Sequence, residues 1–436
     1  MKNWLLIPLI LFALPSMAQI QFHSLQEVLD YADQHAIAVQ RARIGEQISI
    51  TGKKEAKASL YPSFNTTLGY NDNITLQPTL VPAQMFNPAA PEDTFEEFTF
   101  GTKYQYSSGL QVQWDILNFQ KLFALKTADK EVQKSKASIE VNRFNTYNSI
   151  ASTYYSILLT QESIEIYKEN LSVSSSILEL AKGKYQEGIL SEAEVNQAEI
   201  KDRQNKRSLD AAKSNLQQFY LQLQSQLNTD QVIQILDEPA NFALGDMTIQ
   251  SRHPEILLQE LEVQKYESML KQKKSLRYPS ISLVYQNNRT WATNDFMDFS
   301  AANKLPQQYF GVQVNLLGSN RFTTKQKIKQ SEWELQMQRL QLENTKLVKQ
   351  KEDELLQLEL QKASQQLTDN QYILNLQEKN DVHAEHKYQG GIIGLDERLT
   401  RYDDLLAAQE MYLQSLASFS IAQYKTYIRQ INFQTK

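Results

Sequence analysis

The chain has 436 residues, of which only 13 are Gly and 11 are Pro, or 3.0% and 2.5%. Average proteins hold about 7% and 5% of these turn-forming residues, so the elements of this chain should be long. The net charge of −5 excludes a strongly basic nucleic-acid binder, and the mean hydropathy of −0.50 excludes a bundle of membrane-spanning helices. Because the chain has no Cys, disulfide scaffolds and thiol nucleophiles are also excluded.

Residues 1–18 have the features of a cleaved secretory signal peptide. Lys2 precedes an apolar stretch from Trp4 to Leu14, and Ser16 and Ala18 supply the small residues that a signal peptidase requires. This stretch is too short to cross a bilayer comfortably. We therefore expect an exported mature protein.

The remaining chain contains the same landmarks twice, in the same order. Tyr61-Pro62-Ser63 recurs as Tyr278-Pro279-Ser280, and Lys184-Tyr185-Gln186 recurs as Lys387-Tyr388-Gln389. Internal repeats of this kind indicate a chain built from two copies of one structural unit. The predicted organisation is a first repeat (19–228), a connecting segment (229–250) interrupted by Pro239 and Gly245, and a second repeat (251–436).

Each repeat begins with a helix that a Tyr-Pro step ends. The helices are predicted over about 24–59 and 251–277, because Pro moves the residue before it out of the α conformation. Ser24 and Glu27 form a capping-box pattern at the start of the first helix. The helix-to-strand junctions are Tyr61 with Pro62 and Tyr278 with Pro279.

Two strands are predicted next in each repeat, and their residues alternate between apolar and polar. The longest alternation covers 98–116, with Val112 and Trp114 on one face and Gln111 and Gln113 on the other. Aromatic residues cluster near the strand ends, as in strands of outer membranes. The pattern favours a lipid-facing sheet over a half-buried soluble one. The predicted strands are about 61–76, 98–117, 278–287 and 309–317, with surface loops at 77–97 and 287–308.

Four strands are too few to close a barrel, for which about eight are the practical minimum. Open sheet edges are not tolerated in lipid, so a barrel must be shared between chains. Two chains would supply eight strands around an interior that side chains fill, whereas three would supply twelve and leave a passage. The internal repeat makes a trimer especially natural.

Two very long helices follow the strand pairs. Residues 118–187 contain Gly183 as their only potential breaker, and residues 320–389 contain neither Gly nor Pro. A helix of 70 residues extends about 105 Å at 1.5 Å per residue. Return helices over about 190–228 and 394–430 complete a helical hairpin in each repeat.

A Tyr-x-x-Gly turn joins the two helices of each hairpin, at 185–188 and at 388–391. Together with the doubled Tyr-Pro-Ser and the strand pairs, these turns make the whole mature chain resemble the outer-membrane efflux proteins, the TolC-like channel family. The resemblance implies a mixed α and β fold, in which a trimeric twelve-stranded transmembrane β-barrel is continuous with a periplasmic tunnel of twelve helices.

The resemblance also implies a function and a location. The protein would be the exit duct of a tripartite efflux or type I secretion system, in the outer membrane of a Gram-negative-type envelope. Its partners would be two further copies of itself, outer-membrane lipid, a periplasmic adaptor (membrane fusion) protein and an inner-membrane transporter. In this family the pump selects the cargo, so drug, metal-ion and polypeptide export all stay open.

Site residues follow from the same resemblance. In that family the Tyr-x-x-Gly turn lies at the periplasmic tip, where adaptor hairpins dock, and an acidic residue nine positions after the Tyr lines a constriction. The family usually has Asp there, whereas this chain has Glu in both repeats, with Asp396 adjacent to the second. The docking tip would comprise Tyr185, Gly188, Tyr388 and Gly391, and the periplasmic gate would comprise Glu194, Glu397 and Asp396.

Motifs of catalysis are absent from the sequence, which has no phosphate loop, no Gly-rich dinucleotide turn and no Gly-x-Ser-x-Gly. We therefore expect no enzymatic activity, no cofactor, no bound metal and no nucleic-acid partner. The alternative function is a secreted trimeric coiled-coil adhesin or scaffold. That alternative would explain the helices, but it would not explain strands in the middle of each repeat.

Overall fold

A computed structural model describes residues 19–237, 252–316 and 321–431. The chain divides into two compact units. The helical unit comprises the described parts of 1–46, 135–260 and 341–436, and the sheet unit comprises 47–134 with the described part of 261–340.

Seven α-helices and eight β-strands are formed by the described residues. The helices are α1 (Leu25–His35), α2 (Ile37–Ala58), α3 (Phe119–Gln186), α4 (Glu192–Leu227), α5 (Pro254–Lys274), α6 (Arg321–Gln389) and α7 (Leu395–Gln430). The strands are β1 (Ile20–Phe22), β2 (Ser63–Asp72), β3 (Pro78–Pro82), β4 (Phe95–Thr99), β5 (Tyr104–Leu117), β6 (Ile233–Ile235), β7 (Ser280–Thr293) and β8 (Asn303–Asn315).

The core of the helical unit forms around an apolar stripe of α3 that steps by three and four residues. Tyr147, Ala151, Tyr154 and Leu158 are each at most 2% exposed, and buried side chains of α1, α4 and α7 pack around them. Burying one large apolar side chain contributes about 1.5–3 kcal/mol. This stripe therefore fixes how the four helices pack.

A short parallel pair of strands, β1 and β6, joins the same core. Phe22 lies opposite Ile235 in the register, and both side chains are buried in the core of the helical unit. The sequence predicted no element here, because three residues are too few to show a period. The rest of the connecting segment, with Pro239 and Gly245, lies outside the described residues.

The helix predicted over about 24–59 is in fact two helices, which meet at Ala36. The ψ angle of Ala36 is 124°, an extended conformation, and its side chain is 1% exposed, so the bend keeps the core intact without Gly or Pro. The Ser24 hydroxyl caps α1 by accepting from the Glu27 N–H at 3.4 Å. The Glu27 carboxylate, however, accepts from the His23 N–H at 2.8 Å, outside the capping-box pattern.

Four long antiparallel strands form the main sheet of the sheet unit, in the order β2-β5-β7-β8. One row across the sheet is apolar: Phe64 pairs with Val112, Val112 with Tyr285, and Tyr285 with Phe310. The next row places Asn65, Gln111 and Gln286 on the other face. On the two outer strands the apolar face lies open, with Phe64 73% and Phe310 69% exposed.

The alternation that predicted one strand over 98–117 belongs to two strands. Gly101 adopts a φ of +120°, a conformation that side chains resist, and the chain changes partner at this point. Phe95–Thr99 (β4) pairs with Pro78–Pro82 (β3) in a separate hairpin, so residues 77–97 are more ordered than a surface loop. The period of two continues on both sides of the break, which hides it in the sequence.

The strands of the second repeat are longer than the sequence predicted. The strand predicted to end near residue 287 continues to Thr293, and the strand predicted to start near 309 begins at Asn303. Only residues 294–302 are left between them, in place of the predicted loop 287–308. Residues 286–289 are all polar and Pro306 interrupts the pattern, yet backbone pairing on both sides of β7 holds the ladder. Within a single chain Pro306 is tolerated because β8 is an edge strand there.

No helix within the described ranges is both long enough and apolar enough to cross a bilayer.

His253, the residue before α5, is buried in the helical unit at 4% exposure. Its Nδ1 accepts from the Glu255 N–H at 3.2 Å. Burial, followed by the nearby cations of Arg429 and Lys349, lowers the pKa of His253 to about 4, although the carboxylates of Glu255 and Asp353 act in the opposite direction.

We expect His253 to make the helical unit sensitive to acid. Above pH 6.5 the imidazole is neutral in both the folded and the unfolded chain, and its contribution to stability is complete. As the pH falls toward 4, the unfolded chain gains a proton that the folded chain refuses, at a cost of up to about 3 kcal/mol. The midpoint of thermal unfolding, followed by circular dichroism, should fall over this range in the wild type and fall less in His253→Gln.

The matched control is His23→Gln, which removes an exposed histidine and should keep the wild-type pH dependence. Equal pH dependence in wild type and His253→Gln would contradict this account of the buried imidazole.

Candidate functional site at the helical hairpin turns

The turn between α3 and α4 ends the first helix with two backbone hydrogen bonds. The Ile189 N–H donates to the Lys184 carbonyl at 2.9 Å, and the Gly188 N–H donates to the Tyr185 carbonyl at 2.9 Å. This pair of bonds is the Schellman arrangement, which satisfies the last carbonyls of a helix. It requires a left-handed residue, and Gly188 has a φ of +76°.

The turn between α6 and α7 has the same geometry. The Ile392 N–H donates to the Lys387 carbonyl at 2.8 Å, and the Gly391 N–H donates to the Tyr388 carbonyl at 3.2 Å. Gly391 has a φ of +72°. The repeated sequence therefore encodes a repeated turn, and each Gly is explained by its backbone conformation.

The two tyrosines of these turns have different surroundings. Tyr185 is 47% exposed, whereas Tyr388 is 2% exposed. The Lys184 ammonium lies 3.8 Å from the centroid of the Tyr388 ring and donates to the Tyr388 carbonyl at 3.2 Å. A cation over an aromatic face is stabilising, so the first turn holds the second turn through this lysine.

The pKa of Tyr388 is raised, first by burial and second by the carboxylate of Glu194. Glu194 itself completes a capping box at the start of α4. The Ser191 N–H donates to the Glu194 carboxylate at 2.7 Å, and the Glu194 N–H donates to the Ser191 hydroxyl at 3.4 Å. The hydrogen bond from the Ser191 N–H lowers the pKa of Glu194. Its carboxylate is therefore ionised and already used as a helix cap.

The equivalent carboxylate of the second hairpin, Glu397, is not used as a cap. The residue at the N-cap of α7 is Gly394, which has no side chain to cap the helix. The carboxylate of Glu397 lies 3.9 Å from Arg401 one turn along α7. In the part of the chain that the structure describes, Asp396 forms no ion pair. The three predicted gate residues are thus of two kinds, because Glu194 caps a helix whereas Glu397 and Asp396 cap none.

A buried polar network behind the tip joins the two hairpins, and sequence reasoning missed it. The Tyr402 hydroxyl donates to the Asn170 carbonyl at 2.7 Å and accepts from the Asn205 amide at 2.8 Å. The Asn170 amide donates to Gln409 at 2.8 Å. A deep ion pair lies beside it, with Arg398 at 1% exposure and 2.5 Å from Asp381. A helix of mixed polar residues gives no signal of which face will be buried, so only the structure reveals this network.

The helix-to-strand junction residues lie in the sheet unit, apart from the hairpin turns in the sequence. Tyr61 and Tyr278 are 62% and 57% exposed. The ring of Tyr278 lies 5.3 Å from that of Phe119, at the start of α3. These residues lie between the end of a helix and the start of a strand, in agreement with the junctions that their Tyr-Pro steps predicted.

A family model described as outer membrane efflux protein matches residues 28–229. The matched stretch is 202 of the 436 residues, so the first half of the chain is similar to the outer membrane efflux protein family. The resemblance inferred from the doubled motifs is thereby confirmed. A search of curated proteins finds no significant match.

Solved structures of outer-membrane channels have a fold similar to that of this chain. They include VceC of Vibrio cholerae (17% identity, TM-score 0.72, covering 94% of this chain and 96% of that one) and CmeC of Campylobacter jejuni (16%, 0.72, 94% and 87%). The channel OprN is similar as well (13%, 0.77, 94% and 90%). At these identities the likeness establishes a mixed helix and sheet fold of the TolC-like type.

The similarity to outer membrane efflux proteins places the protein in the outer membrane, with its helical body in the periplasm. The family model and the structural neighbours describe channels and no enzyme, which supports the expectation that the chain has no enzymatic activity.

We expect both turn glycines to resist substitution for conformational reasons alone. A Cβ at Gly188 or Gly391 would meet no atom within 4 Å, so Gly188→Ala and Gly391→Ala add only the strain of the left-handed backbone, about 1 kcal/mol or more. Hydrogen exchange of peptides covering the turns should become roughly fivefold faster in each variant.

The matched control is Gly183→Ala, at a helical position of α3 that is equally open. Ala is favoured over Gly inside a helix, so exchange should be unchanged or slower there. Equal exchange in Gly188→Ala, Gly391→Ala and Gly183→Ala would contradict the assigned turn geometry.

Proposed function

We propose that the protein is the exit duct of a tripartite efflux or type I secretion system, in which three copies form one channel. The observation that carries the proposal is the open main sheet. Strands β2 and β8 are each paired on one side only, and the sheet carries a continuous apolar row from Phe64 to Phe310. A sheet in lipid must leave no open edge, because unpaired backbone groups there have no water to bind.

Strand direction supports closure between copies. The three ladders of the sheet are antiparallel, so β8 runs opposite to β2. Placing β8 of one copy beside β2 of the next therefore continues the antiparallel pattern. Three copies give twelve strands, an even number as in other bacterial outer-membrane barrels, and enough to leave a passage that eight strands would fill.

The two equivalent hairpin turns of each chain support the same threefold assembly. Within one chain, Lys184 of the first hairpin binds Tyr388 of the second. The repeat places Lys387 and Tyr185 at the equivalent positions, 203 residues away in each case. We infer that Lys387 binds the partner subunit's Tyr185 in the same way. The 47% exposure of Tyr185 in the single chain leaves its ring free for this contact.

The tip also presents the surface that we propose for adaptor docking. Ile189 and Ile392, which follow the two turn glycines, are 65% and 74% exposed. Exposed apolar residues grouped at the end of a protein often mark an interaction site. In this proposal the docking surface is formed by Gly188, Gly391 and the two isoleucines. The rings of Tyr388 and Tyr185 support it from inside, the first through Lys184 of the same chain and the second through the proposed contact between copies.

We further propose that the acidic residues of the tip form a periplasmic gate. Threefold symmetry would bring three copies of Glu397 and Asp396 around one axis, where their combined negative charge attracts cations. Glu194 would contribute less, because its carboxylate already caps α4. The duct itself conducts passively, and the energy comes from the inner-membrane transporter. The alternative function, a secreted adhesin or scaffold, is not supported by the match to outer membrane efflux proteins.

We expect Glu397 to set the ion selectivity of the channel. In planar bilayers the purified wild type should prefer cations, and Glu397→Lys should shift the reversal potential toward anions. Glu397→Ala should abolish block by multivalent cations from the periplasmic side. Both effects should shrink at high salt, since the Debye length falls to about 3 Å at 1 M.

Glu410→Lys provides the control, because it reverses an exposed charge on the same helix, 13 residues or about 20 Å farther along. It should behave as the wild type. No channel activity in any of these proteins would contradict the duct, whereas channels with one common reversal potential would contradict only the gate assignment.

A further inference from the structure

A basic groove lies on the sheet unit, where α2, α3 and α5 approach the strands. Its volume is about 750 Å³, and α3 forms its middle. The ring of Phe123 lies in it, with the Lys126 ammonium 5.3 Å from the ring centroid. The groove is lined by five lysines, Lys53, Lys57, Lys126, Lys130 and Lys271, and by only two carboxylates, Asp129 and Glu267.

The two carboxylates of the groove are already neutralised. Asp129 lies 2.5 Å from the Lys53 ammonium, and Glu267 lies 2.8 Å from Arg339 of α6. Exposed lysines are left over at positions 57, 126 and 271, and none of them forms an ion pair with the residues that the structure describes. The groove therefore holds an uncompensated positive charge.

A contact at the start of α3 indicates how the groove is oriented relative to the two faces of the main sheet. Asp115 alternates with Gln113 on the polar face of β5, and the Lys121 ammonium lies 2.8 Å from its carboxylate. At about 100° per residue, Phe123, Lys126 and Lys130 lie roughly 140° to 200° around the helix from Lys121. The groove is therefore on the side of α3 away from the contact with the polar face of the sheet, and in the proposed channel the other, apolar face is the one that contacts lipid.

The lysines of the groove lie only a short distance along the chain from the long strands. Lys126 lies nine residues after the end of β5 and Lys271 nine residues before the start of β7, or about 14 Å of helix in each case. The sequence stretches 53–60, 119–130, 271–277 and 321–329, which adjoin the four long strands, hold 14 Lys and Arg against two carboxylates, in a chain of net charge −5. Polybasic segments beside a membrane attract anionic lipid.

We propose that this groove binds the headgroups of anionic phospholipids in the periplasmic leaflet of the outer membrane. The three unpaired lysines surround the phosphate, and Phe123 contacts the glycerol and the first acyl carbons, in the manner of aromatic residues at a membrane interface. The groove belongs to one chain and its neighbouring helices, so this proposal does not depend on the oligomeric state or on the gate.

The experiment measures lipid binding to the full chain in neutral detergent micelles, by native mass spectrometry. The probes are phosphatidylglycerol, phosphatidylcholine of the same acyl chains, and inorganic phosphate as a competitor. Each lysine near an anionic surface contributes roughly a fivefold gain in affinity. The triple variant Lys57→Gln, Lys126→Gln, Lys271→Gln should therefore bind phosphatidylglycerol up to about 100-fold more weakly and lose the preference over phosphatidylcholine.

Two controls separate charge at this groove from charge in general. A second triple variant, Lys206→Gln, Lys213→Gln, Lys379→Gln, removes three exposed lysines of the helical unit and should keep the preference. Replacing Lys57, Lys126 and Lys271 by Arg preserves the charge and should keep it too.

Three outcomes would overturn the proposal. The first is an unchanged preference for phosphatidylglycerol in the Gln variant of the groove, and the second is an equal loss in both Gln triples. The third is full displacement of the lipid by millimolar inorganic phosphate, which would identify the groove as a site for soluble phosphate.

Discussion

A strand in lipid must be paired on both sides, because the hydrocarbon offers no water to its N–H and C=O groups. The main sheet of this protein has four strands and two open edges, β2 and β8, and the first half of the chain matches a family of outer-membrane proteins. A single chain cannot meet the constraint. The need to satisfy these two edges leads to the proposed assembly of three copies, and the assembly in turn places the acidic residues of three tips around one axis.

The two repeats share backbone geometry but differ in side-chain chemistry. Both hairpin turns are closed by a left-handed Gly with the same two hydrogen bonds, yet Glu194 caps a helix and Glu397 does not. The network of Tyr402 and Asn170 likewise exists once, since the residues at the equivalent positions, 203 away, are Glu199 and Ile373. In our proposal, neighbouring hairpins of one chain are therefore held together more firmly than neighbouring hairpins of different chains. Of the contacts described here, the lysine–tyrosine contact is the one whose residues are present at both boundaries.

Much of this architecture can be predicted from the sequence, because its signals are local. The absence of Gly and Pro over 320–389 predicts α6, and the alternation around Val112 predicts β5. The outer half of β7 could not be predicted in this way, because residues 286–289 are all polar and only pairing with two neighbours holds them in the sheet. The break at Gly101 was hidden because alternation continues on both sides of it.

The candidate site was less predictable, because it depends on which helix faces meet. Ser191 and Glu194 form a capping-box pattern that can be recognised in the sequence. This pattern would have predicted that the carboxylate of Glu194 caps a helix, whereas that of Glu397 does not. The burial of Tyr388 beneath Lys184 could not be read, since Tyr185 occurs in the same motif and is exposed. Two copies of one motif thus occupy different environments, which periodicity cannot distinguish.

The most direct measurement is thiol cross-linking at the tip, which the natural chain permits because it has no Cys. A chain carrying Lys387→Cys and Tyr185→Cys should, with a short bismaleimide, give covalent dimers and trimers on a denaturing gel. The control pair, Lys184→Cys with Tyr388→Cys, lies within one chain and should react while keeping the monomer mass. If the control pair reacts and the first pair gives only monomers, the proposed threefold tip is contradicted.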